Sequence, residues 1–405
     1  MQPQRDLETQ FKVLTEGIVE LISPEEFKAQ LASSLKKGNP LRIKYGADPS
    51  SPDLHLGHTV PLRKLRQFQD FGHTVVFIIG DFTARIGDPT QRNETRPMLS
   101  PEEVERNALT YQEQVFKILE RTKTEICSNS QWLDQMTPQD FLHLTAQYTV
   151  ARLLERDDFQ KRYKAGRPIA LIEFLYPLLQ GYDSVVVKAD IELGGTDQKF
   201  NLLVGRELQK IWGQKPQTVM TLPLLEGTDG ARKMSKSFAN AIALQDSPRE
   251  MFGKLMSIPD NLIPRYFQYV SGLPSADYQP WMEKLSNDPR NLKAKLAETI
   301  VASYYGKKEA EQARGEFDRI FKEKGLPDEI PAIKLSARKM DLVSLLKETG
   351  LVSSKNEARR LIEQGGVKLD QKTVTDWTFS VTLSKPILVQ CGKRKFAKVE
   401  FQDSK

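Results

Sequence analysis

The sequence has little cysteine and histidine and no long apolar run. Its two cysteines, Cys127 and Cys391, lie far apart and can form at most one disulfide, which excludes a disulfide framework and a cysteine-rich zinc site. With only four histidines, we expect no metal site. The longest apolar runs, such as residues 75–79, are far shorter than the ~20 residues of a membrane helix. Residues 1–6 also lack the apolar core of a signal peptide, so we expect a cytoplasmic protein without a membrane partner.

The composition is that of a soluble globular protein whose charge is unevenly distributed. The 405 residues are 39% hydrophobic and 28% charged, and this length allows two or three domains. Residues 336–405 hold 14 Lys and Arg against 8 Asp and Glu, whereas residues 1–335 hold 45 of each. A neutral body with a basic end predicts a separate module that binds a polyanion. The alternative is a basic tail that only increases solubility.

A strand, a turn and a helix are predicted near the start of the chain. Residues 41–45 alternate as a β-strand does, and residues 56–71 have helical apolar spacing. His55 and His58 lie at the entrance of this helix, where backbone N–H groups and the helix dipole favour an anion. The two imidazoles can reach one phosphate or ribose. A His-x-x-His pair on a helix is also typical of an exposed surface or a metal pair, so this interpretation needs a second motif.

A parallel sheet is predicted from the segments that follow. Residues 74–80 are a continuous apolar run, typical of a buried parallel strand, and complete a β-α-β unit. Residues 81–99 are predicted to form a polar loop at the carboxyl end of this strand, where ligands bind in such sheets. Two helices are predicted within residues 1–40, covering one edge of the body, and another begins at residue 100.

Residues 138–182 are predicted to be mostly helical, with an unusual polar face. Tyr176, Gln180 and Asp183 are spaced four and three residues apart and share one side of an otherwise apolar helix, whose core side would include Leu171. Because an unpaired buried polar group costs ~1–3 kcal/mol, this face needs partners or a ligand. The remaining predicted elements follow in chain order. They are a strand at 184–187, a strand and loop at 191–198, a helix at 199–212, a strand at 218–222, a loop at 227–237 and helices over 248–323.

The basic tail has its own predicted plan. Ser353 and Ser354 can cap a helix that carries Lys355 and Arg359, and Gln364-Gly365-Gly366 ends it before a strand at 367–369. A later strand follows residues 392–395. The basic side chains favour a polyanion, although a solvated helix face would have the same composition.

Two distant motifs together indicate a family. His55-Leu56-Gly57-His58 and Lys233-Met234-Ser235-Lys236-Ser237 resemble the two signature motifs of class I aminoacyl-tRNA synthetases. The second motif matches at all five positions, and the first differs by Leu56 where Ile is more common. Residues 176–183 and 194–198 resemble the amino-acid pocket of tyrosyl-tRNA synthetases, and the tail resembles an S4 RNA-binding domain.

This resemblance implies an α/β fold with four parts. A Rossmann-like parallel-sheet catalytic domain with an N-terminal helical cover would span residues 1–245, and a helical domain residues 246–325. A linker would span 326–335 and a small α+β S4-like domain 336–405. The family is also homodimeric.

The resemblance further implies that tyrosine attacks ATP to give tyrosyl-adenylate and pyrophosphate, before transfer to the 3′ end of tRNA(Tyr). Mg²⁺ would arrive with ATP. Asp183 would accept the phenol hydrogen bond, and Asp197 would contact the adenylate ribose. The implied catalytic residues are His55, His58, Lys233 and Lys236. ATP would also contact Asp48, Gly57, Arg92, Arg96 and Asp197. Tyrosine would contact Asp88, Tyr176, Gln180, Asp183 and Gln198. RNA would contact Lys355, Arg359, Arg360, Lys393, Arg394 and Lys395.

One departure and three alternatives remain open. Many relatives have a tyrosine four residues before the Asp of the first loop, where it contacts the substrate phenol, but this chain has Lys44 there, followed by Tyr45. That second phenol contact is therefore an open question. The alternatives are a tryptophan–tRNA ligase, a non-catalytic RNA-binding regulator on the same fold, and a small-molecule nucleotidyltransferase. The polar face at 176–183 and the basic tail favour the tyrosine enzyme.

Overall fold

The computed structural model describes residues 6–49, 51–89, 100–321, 330–392 and 395–402. The chain forms two compact units, residues 1–310 and 311–405. Among the described residues, no helix is both long and apolar enough to cross a membrane.

A six-stranded sheet forms the centre of the first unit. Its order is β1-β6-β5-β2-β3-β4, and every neighbouring pair is parallel except the antiparallel edge pair β1 and β6. The strands are β1 (Glu20–Ile22), β2 (Arg42–Ala47), β3 (Thr74–Ile79), β4 (Thr124–Ser128), β5 (Ile191–Gly195) and β6 (Thr218–Leu222). The predicted α/β fold with a parallel sheet is confirmed.

Helices surround this sheet. Four of them begin with Ser-Pro or Thr-Pro: the cap hydroxyl accepts a backbone N–H three residues on, and proline needs no donor at the first helical position. The helices are α1 (Leu7–Thr15), α2 (Pro24–Lys37), α3 (Leu56–Asp70), α4 (Asp81–Ile86), α5 (Pro101–Val115), α6 (Ser130–Leu133), α7 (Pro138–Thr145), α8 (Val150–Leu153), α9 (Asp157–Lys164), α10 (Leu171–Val187), α11 (Lys199–Ile211), α12 (Pro248–Leu255), α13 (Ile263–Tyr269), α14 (Ser275–Met282) and α15 (Pro289–Tyr305). Another helix, α16 (Lys307–Phe321), runs from the first unit into the second. Helices α12 to α15 lie in the same compact unit as the sheet; the border near residue 245 stays a prediction.

Four of the sequence-based predictions differ from the structure. Gly17, in a left-handed conformation, ends α1, and the following residues form edge strand β1 rather than more helix. Part of the predicted loop 81–99 is helix α4. The predicted strand 184–187 is wrong, since α10 continues to Val187 and stops at left-handed Lys188. Leu171, expected in the core, is 81% exposed.

The second unit is α+β, as predicted. One sheet has the order β10-β9-β12-β13-β7, and a two-stranded sheet pairs β11 with β8. The predicted helix after Ser354 is confirmed, with the Ser354 hydroxyl accepting the Glu357 N–H. The elements are β7 (Ala332–Leu335), β8 (Lys339–Asp341), α17 (Leu342–Glu348), α18 (Lys355–Glu363), β9 (Val367–Leu369), β10 (Lys372–Val374), β11 (Ser380–Thr382), β12 (Ile387–Cys391) and β13 (Lys395–Phe401). The two helices and the sheets enclose an apolar core that includes Leu345, Leu346, Ile362 and Val389.

Candidate active site

The two distant signature motifs are joined by backbone pairing. Leu56 N–H donates to the Ile242 carbonyl at 2.9 Å, and Leu244 N–H donates to the Leu54 carbonyl at 2.9 Å. Lys236 adds an ion pair to Asp53, with Nζ and Oδ2 2.6 Å apart. The lysine-bearing loop is therefore fixed beside the entrance of α3.

The two histidines at this entrance are neutral at pH 7. Their ring centroids are 3.9 Å apart, and His58 Nδ1 accepts the His55 backbone N–H at 3.2 Å. Burial is the main cause that lowers the pKa of His55 to about 2 and that of His58 to about 4, and the charge of Lys236 contributes to both shifts. A side chain at Gly57 would place its Cβ 3.0 Å from the His55 ring, so glycine permits this packing. The pair can hydrogen-bond a nucleotide but does not add charge.

Positive charge comes instead from the loop that follows β6. Met234 N–H donates to the Leu225 carbonyl at 2.7 Å, which closes the loop. The Asn240 side chain accepts the Ser235 N–H at 2.8 Å and donates to the Lys233 carbonyl at 3.2 Å. Lys233 Nζ lies 3.3 Å from Asp197 Oδ2. Both lysines thus contact carboxylates around the site.

The amino-acid side of the site begins at Tyr176 on α10. Its hydroxyl donates to Asp48 Oδ2 at 2.9 Å, and the other Asp48 oxygen accepts the Thr83 hydroxyl at 2.7 Å. Asp48 directly follows β2, and Thr83 lies on α4. Burial is the main cause that raises the pKa of Asp48 to about 7; the charge of Asp88 acts in the same direction, and the hydrogen bond from Thr83 acts against it.

A network of amides continues this side of the site. Asn201 Nδ2 donates to Gln180 Oε1 at 2.9 Å and to Gln198 Oε1 at 3.1 Å. Gln198 Nε2 donates to Asp88 Oδ2 at 2.7 Å. Arg156 NH2 lies 3.7 Å from Asp88 Oδ1. Four of the residues predicted from the sequence to bind tyrosine, Asp88, Tyr176, Gln180 and Gln198, are therefore held by hydrogen bonds within this region.

The fifth predicted tyrosine ligand, Asp183, lies one helical turn further along α10. It is 3% exposed, and it accepts hydrogen bonds from Trp132 Nε1 at 2.9 Å and Asn129 Nδ2 at 3.3 Å. Burial raises the pKa of Asp183 to about 7, against the opposing charge of Lys44 and these two donors. A buried carboxylate with donors on one side can accept one further hydrogen bond, such as that of a phenol.

Lys44 and Tyr45 lie on opposite faces of the sheet, because successive residues of a strand alternate. Lys44 Nζ lies 2.7 Å from Glu192 Oε1, and both side chains are buried. The Tyr45 ring packs against Phe77, with centroids 5.7 Å apart. In this structure Lys44 forms an ion pair within the protein, and Tyr45 packs against an aromatic side chain.

The predicted RNA-contacting residues lie on the second unit. Lys355, Arg359 and Arg360 are exposed on α18, and the Arg359 guanidinium lies 5.0 Å from the centroid of the Trp377 ring. Lys395 Nζ donates to the Leu351 carbonyl at 2.7 Å, so this lysine has a structural contact. Four predicted contacts lie outside the described residues: Arg92, Arg96, Lys393 and Arg394.

Sequence reasoning missed several residues that hold the site. Asn201 had a usable signal, since it lies three residues after Gln198 and faces the same side of the chain there. Thr83, Asn129 and Trp132 carried no motif, and only the fold brings Thr83 to Asp48 and the other two to Asp183. Asn240 similarly acquires its role from the closed loop.

Comparison with known proteins assigns this arrangement to a family. Residues 36–322 match the family model for class I tRNA synthetases (W and Y), and residues 322–399 match the SYY-like C-terminal domain of tyrosine–tRNA ligase. The chain belongs to the class I tRNA synthetases of this group. It is 53% identical to the tyrosine–tRNA ligase of Thermotoga maritima, covering 98% of this chain and 99% of that one. The corresponding protein of Carboxydothermus hydrogenoformans is 51% identical, with 99% and 100% covered. Within its class, the chain is a member of the tyrosine–tRNA ligase family, as the sequence motifs predicted.

Solved structures confirm the fold at lower identity. A C-terminally truncated mitochondrial tyrosyl-tRNA synthetase of Aspergillus nidulans gives a TM-score of 0.65 at 21% identity, covering 78% of this chain and 94% of that one. The tyrosyl-tRNA synthetase of Archaeoglobus fulgidus, complexed with L-tyrosine, gives 0.61 at 20% identity, covering 76% and 100%.

Proposed function

We propose that this chain activates tyrosine with ATP to give tyrosyl-adenylate and pyrophosphate, and then transfers tyrosine to the 3′ end of tRNA(Tyr). One observation carries the proposal. The pairing of residues 54–56 with residues 242–244 joins the histidine and lysine motifs at one site. Family membership supports the same reaction. The tryptophan and regulator alternatives are not favoured, because these relatives are named tyrosine–tRNA ligases and both motifs are intact.

The activation step needs positioning and charge stabilisation rather than a protein nucleophile. The tyrosine carboxylate attacks the α-phosphorus of ATP in line with the departing pyrophosphate. His55 and His58, both neutral, hydrogen-bond the phosphates and ribose. Lys233 and Lys236 exchange their carboxylate partners for the leaving pyrophosphate, where negative charge grows. Asp48 and Gly57 border this nucleotide site, and Asp197, released by Lys233, accepts from the ribose.

The substrate tyrosine is recognised both at its ammonium and carboxylate groups and at its phenol. Asp88, Tyr176 and Gln180 receive the ammonium group of tyrosine, and Gln198 contacts its carboxylate or the adenylate. Asp183 accepts the phenol hydrogen bond. Phenylalanine leaves this buried acceptor without its donor, which is penalised.

Mg²⁺ enters with ATP. Among the described residues, no group of three or more His, Cys, Asp or Glu side chains is arranged to hold a metal ion. Phosphate oxygens and water are the ligands that Mg²⁺ prefers in nucleotide sites, so the ion is held mainly by the nucleotide. Its positive charge offsets that of the triphosphate.

The second unit contacts tRNA by electrostatics. Lys355, Arg359 and Arg360 share an exposed helix whose charge complements phosphates. Lys393, Arg394 and Lys395 extend the set along the chain. The cytoplasmic location predicted from the sequence stays a prediction.

The chain also acts as a homodimer in this proposal. Support comes from residues 142–172, where five large apolar side chains are exposed. Where exposed apolar side chains form one contiguous patch, the patch marks an interaction site. These residues are Leu142, Val150, Tyr163, Leu171 and Ile172.

Amino-acid-dependent exchange of labelled pyrophosphate into ATP tests the proposed reaction. The wild type is assayed with tyrosine, tryptophan and phenylalanine, beside Asp183→Asn and Asp70→Asn. Asp70 is an exposed aspartate at the far end of α3 and serves as the matched control. We expect exchange with tyrosine alone, weakened by Asp183→Asn and unchanged by Asp70→Asn. Exchange with none of the three amino acids refutes the enzyme function.

A further inference from the structure

The central strand of the sheet carries a fully buried lysine. Lys44 on β2 is 0% exposed, and its Cα partner on the neighbouring strand β5 is Glu192, which is 1% exposed. Partners on adjacent strands point to the same face of a sheet. Their side chains accordingly meet, with Nζ and Oε1 2.7 Å apart.

The lysine also holds helix α10. Nζ donates to the Ser184 hydroxyl at 2.7 Å and to the Gln180 carbonyl at 2.9 Å. Together with Glu192, these acceptors use all three N–H groups of the ammonium. Gln180 and Ser184 stand on either side of Asp183 along the helix, so Lys44 fixes the turn that presents this carboxylate.

The ion pair is not explained by stability alone. Glu192 Oε2 also accepts hydrogen bonds from Ser184, at 3.0 Å, and from Gln217. A buried ion pair, even one with all its hydrogen bonds made, is often no more stabilising than apolar residues of the same volume. Its location beneath the polar face of α10 points to a role in the pocket.

Charged groups on two strands of the sheet face Asp183. Lys44 and Glu192 face it from β2 and β5, and Asp48 faces it from the end of β2. Tyr176 is the titratable neighbour on α10 itself, while Trp132 and Asn129 are uncharged donors. The charge of Lys44 is the largest influence that lowers the pKa of Asp183, and Glu192 raises it.

We propose that Lys44 is a positioning residue that keeps Asp183 ionised and in place as the acceptor of the substrate phenol, and so sets selectivity for tyrosine over phenylalanine. This inference rests on the tyrosine activation proposed above. Lys44 acts through Gln180, Ser184 and its charge, without touching the substrate. The negative charge of Glu192 has the opposite effect, because it favours protonation of Asp183.

The test is the pH dependence of selectivity in pyrophosphate exchange. The ratio of kcat/KM for tyrosine to that for phenylalanine is measured from pH 5.5 to 9 in the full chain. Effects common to both substrates, such as ionisation of Asp48, cancel in this ratio. In the wild type the ratio falls as pH drops and Asp183 is protonated. Lys44→Met should move the midpoint up by about one pH unit or more, whereas Glu192→Gln should move it down.

Midpoint shifts in opposite directions distinguish an electrostatic effect on Asp183 from structural damage to the pocket. A purely structural role would lower the activity of both variants without moving their midpoints in opposite directions. Lys64→Met is the matched control, because Lys64 is also buried and donates to the carbonyls of Val13 and Glu16 on another part of the first unit. Its midpoint should equal that of the wild type.

The outcomes separate the two proposals. If Lys44→Met does not fold, the downward shift of Glu192→Gln decides the inference. Unchanged midpoints, or shifts in the same direction, overturn the role of Lys44 while tyrosine activation stands. Absence of tyrosine-dependent exchange in the wild type refutes the proposed function instead.

Discussion

At the scale of single residues, the site depends on groups whose protonation differs from that in water. The histidines at the entrance of α3 are neutral, because burial lowers the pKa of His55 to about 2 and that of His58 to about 4. Asp48 and Asp183 are shifted in the opposite direction, each to a pKa of about 7. Burial disfavours the charged form in both cases, so one cause explains both shifts.

His55→Ala should remove a hydrogen bond to the nucleotide without changing the charge of the site. We expect kcat for tyrosine-dependent exchange to fall ~10²–10³-fold, with a smaller change in KM for tyrosine. Because neither entrance histidine titrates above a pKa of about 4, the wild-type rate should show no histidine ionisation between pH 6 and 8. His143→Ala, at an exposed histidine, is the control. Equal losses in both variants would contradict this role for His55.

Asp183 should make folding stability depend on pH. Its pKa in the folded protein, about 7, exceeds the ordinary value of 3.8, so the folded state holds the proton more tightly. Its contribution to stability is fully present below pH 4 and is lost as pH rises through 7. The Tm of Asp183→Asn minus that of the wild type should therefore increase between pH 5 and pH 8, as calorimetry would measure. A constant difference would show that Asp183 is not shifted.

At the scale of elements, local signals predicted some structures and tertiary contacts decided others. The continuous apolar run of β3 was sufficient to predict that strand, and the Ser-Pro pairs were sufficient to predict where α2 and α5 begin. The strand predicted at 184–187 failed because its valines, typical of strands, pack as the last turn of α10. Strand β1 depends on β6, about 200 residues later in the chain, and β4 was not predicted at all. No local pattern could reveal Thr83, Asn129 or Trp132 as site residues, since their partners lie on other elements.

The close contact of α10 and α11 should be sensitive to a single methyl group. A Cβ at Gly181 would lie 3.0 Å from the Gly205 nitrogen and from Leu208 Cδ1, so Gly181→Ala must separate the helices. We expect a loss of ~1–3 kcal/mol in the free energy of unfolding, and a higher KM for tyrosine because the helices carry Gln180 and Asn201. Gly253→Ala on α12 meets nothing within 4 Å and should instead stabilise by up to ~1 kcal/mol. Urea unfolding of both variants, with opposite signs, checks the argument.

At the scale of the whole molecule, the sequence separates two kinds of chemistry. Residues 1–335 have no net formal charge. This suits a unit that binds small molecules in a site where charges are paired, as Lys233 and Lys236 are paired with carboxylates. The excess positive charge lies in residues 336–405, and it could be counted without any structure. Which basic side chains make a contact within the protein could not be read from the sequence, as the hydrogen bond from Lys395 to the Leu351 carbonyl shows.

Neutralising the exposed face of α18 should affect tRNA binding but not tyrosine activation. The triple variant Lys355→Gln, Arg359→Gln and Arg360→Gln removes up to three phosphate contacts, and each contact contributes a slope of roughly 0.7–0.9 to the fall of log K with log salt. We therefore expect weaker binding of tRNA(Tyr) at 0.1 M salt and a salt slope smaller by about 2, with pyrophosphate exchange unchanged. The matched control neutralises three exposed lysines of the first unit, Lys12, Lys36 and Lys37. A general charge effect would weaken both triple variants equally, whereas a phosphate-binding face on α18 weakens only the first.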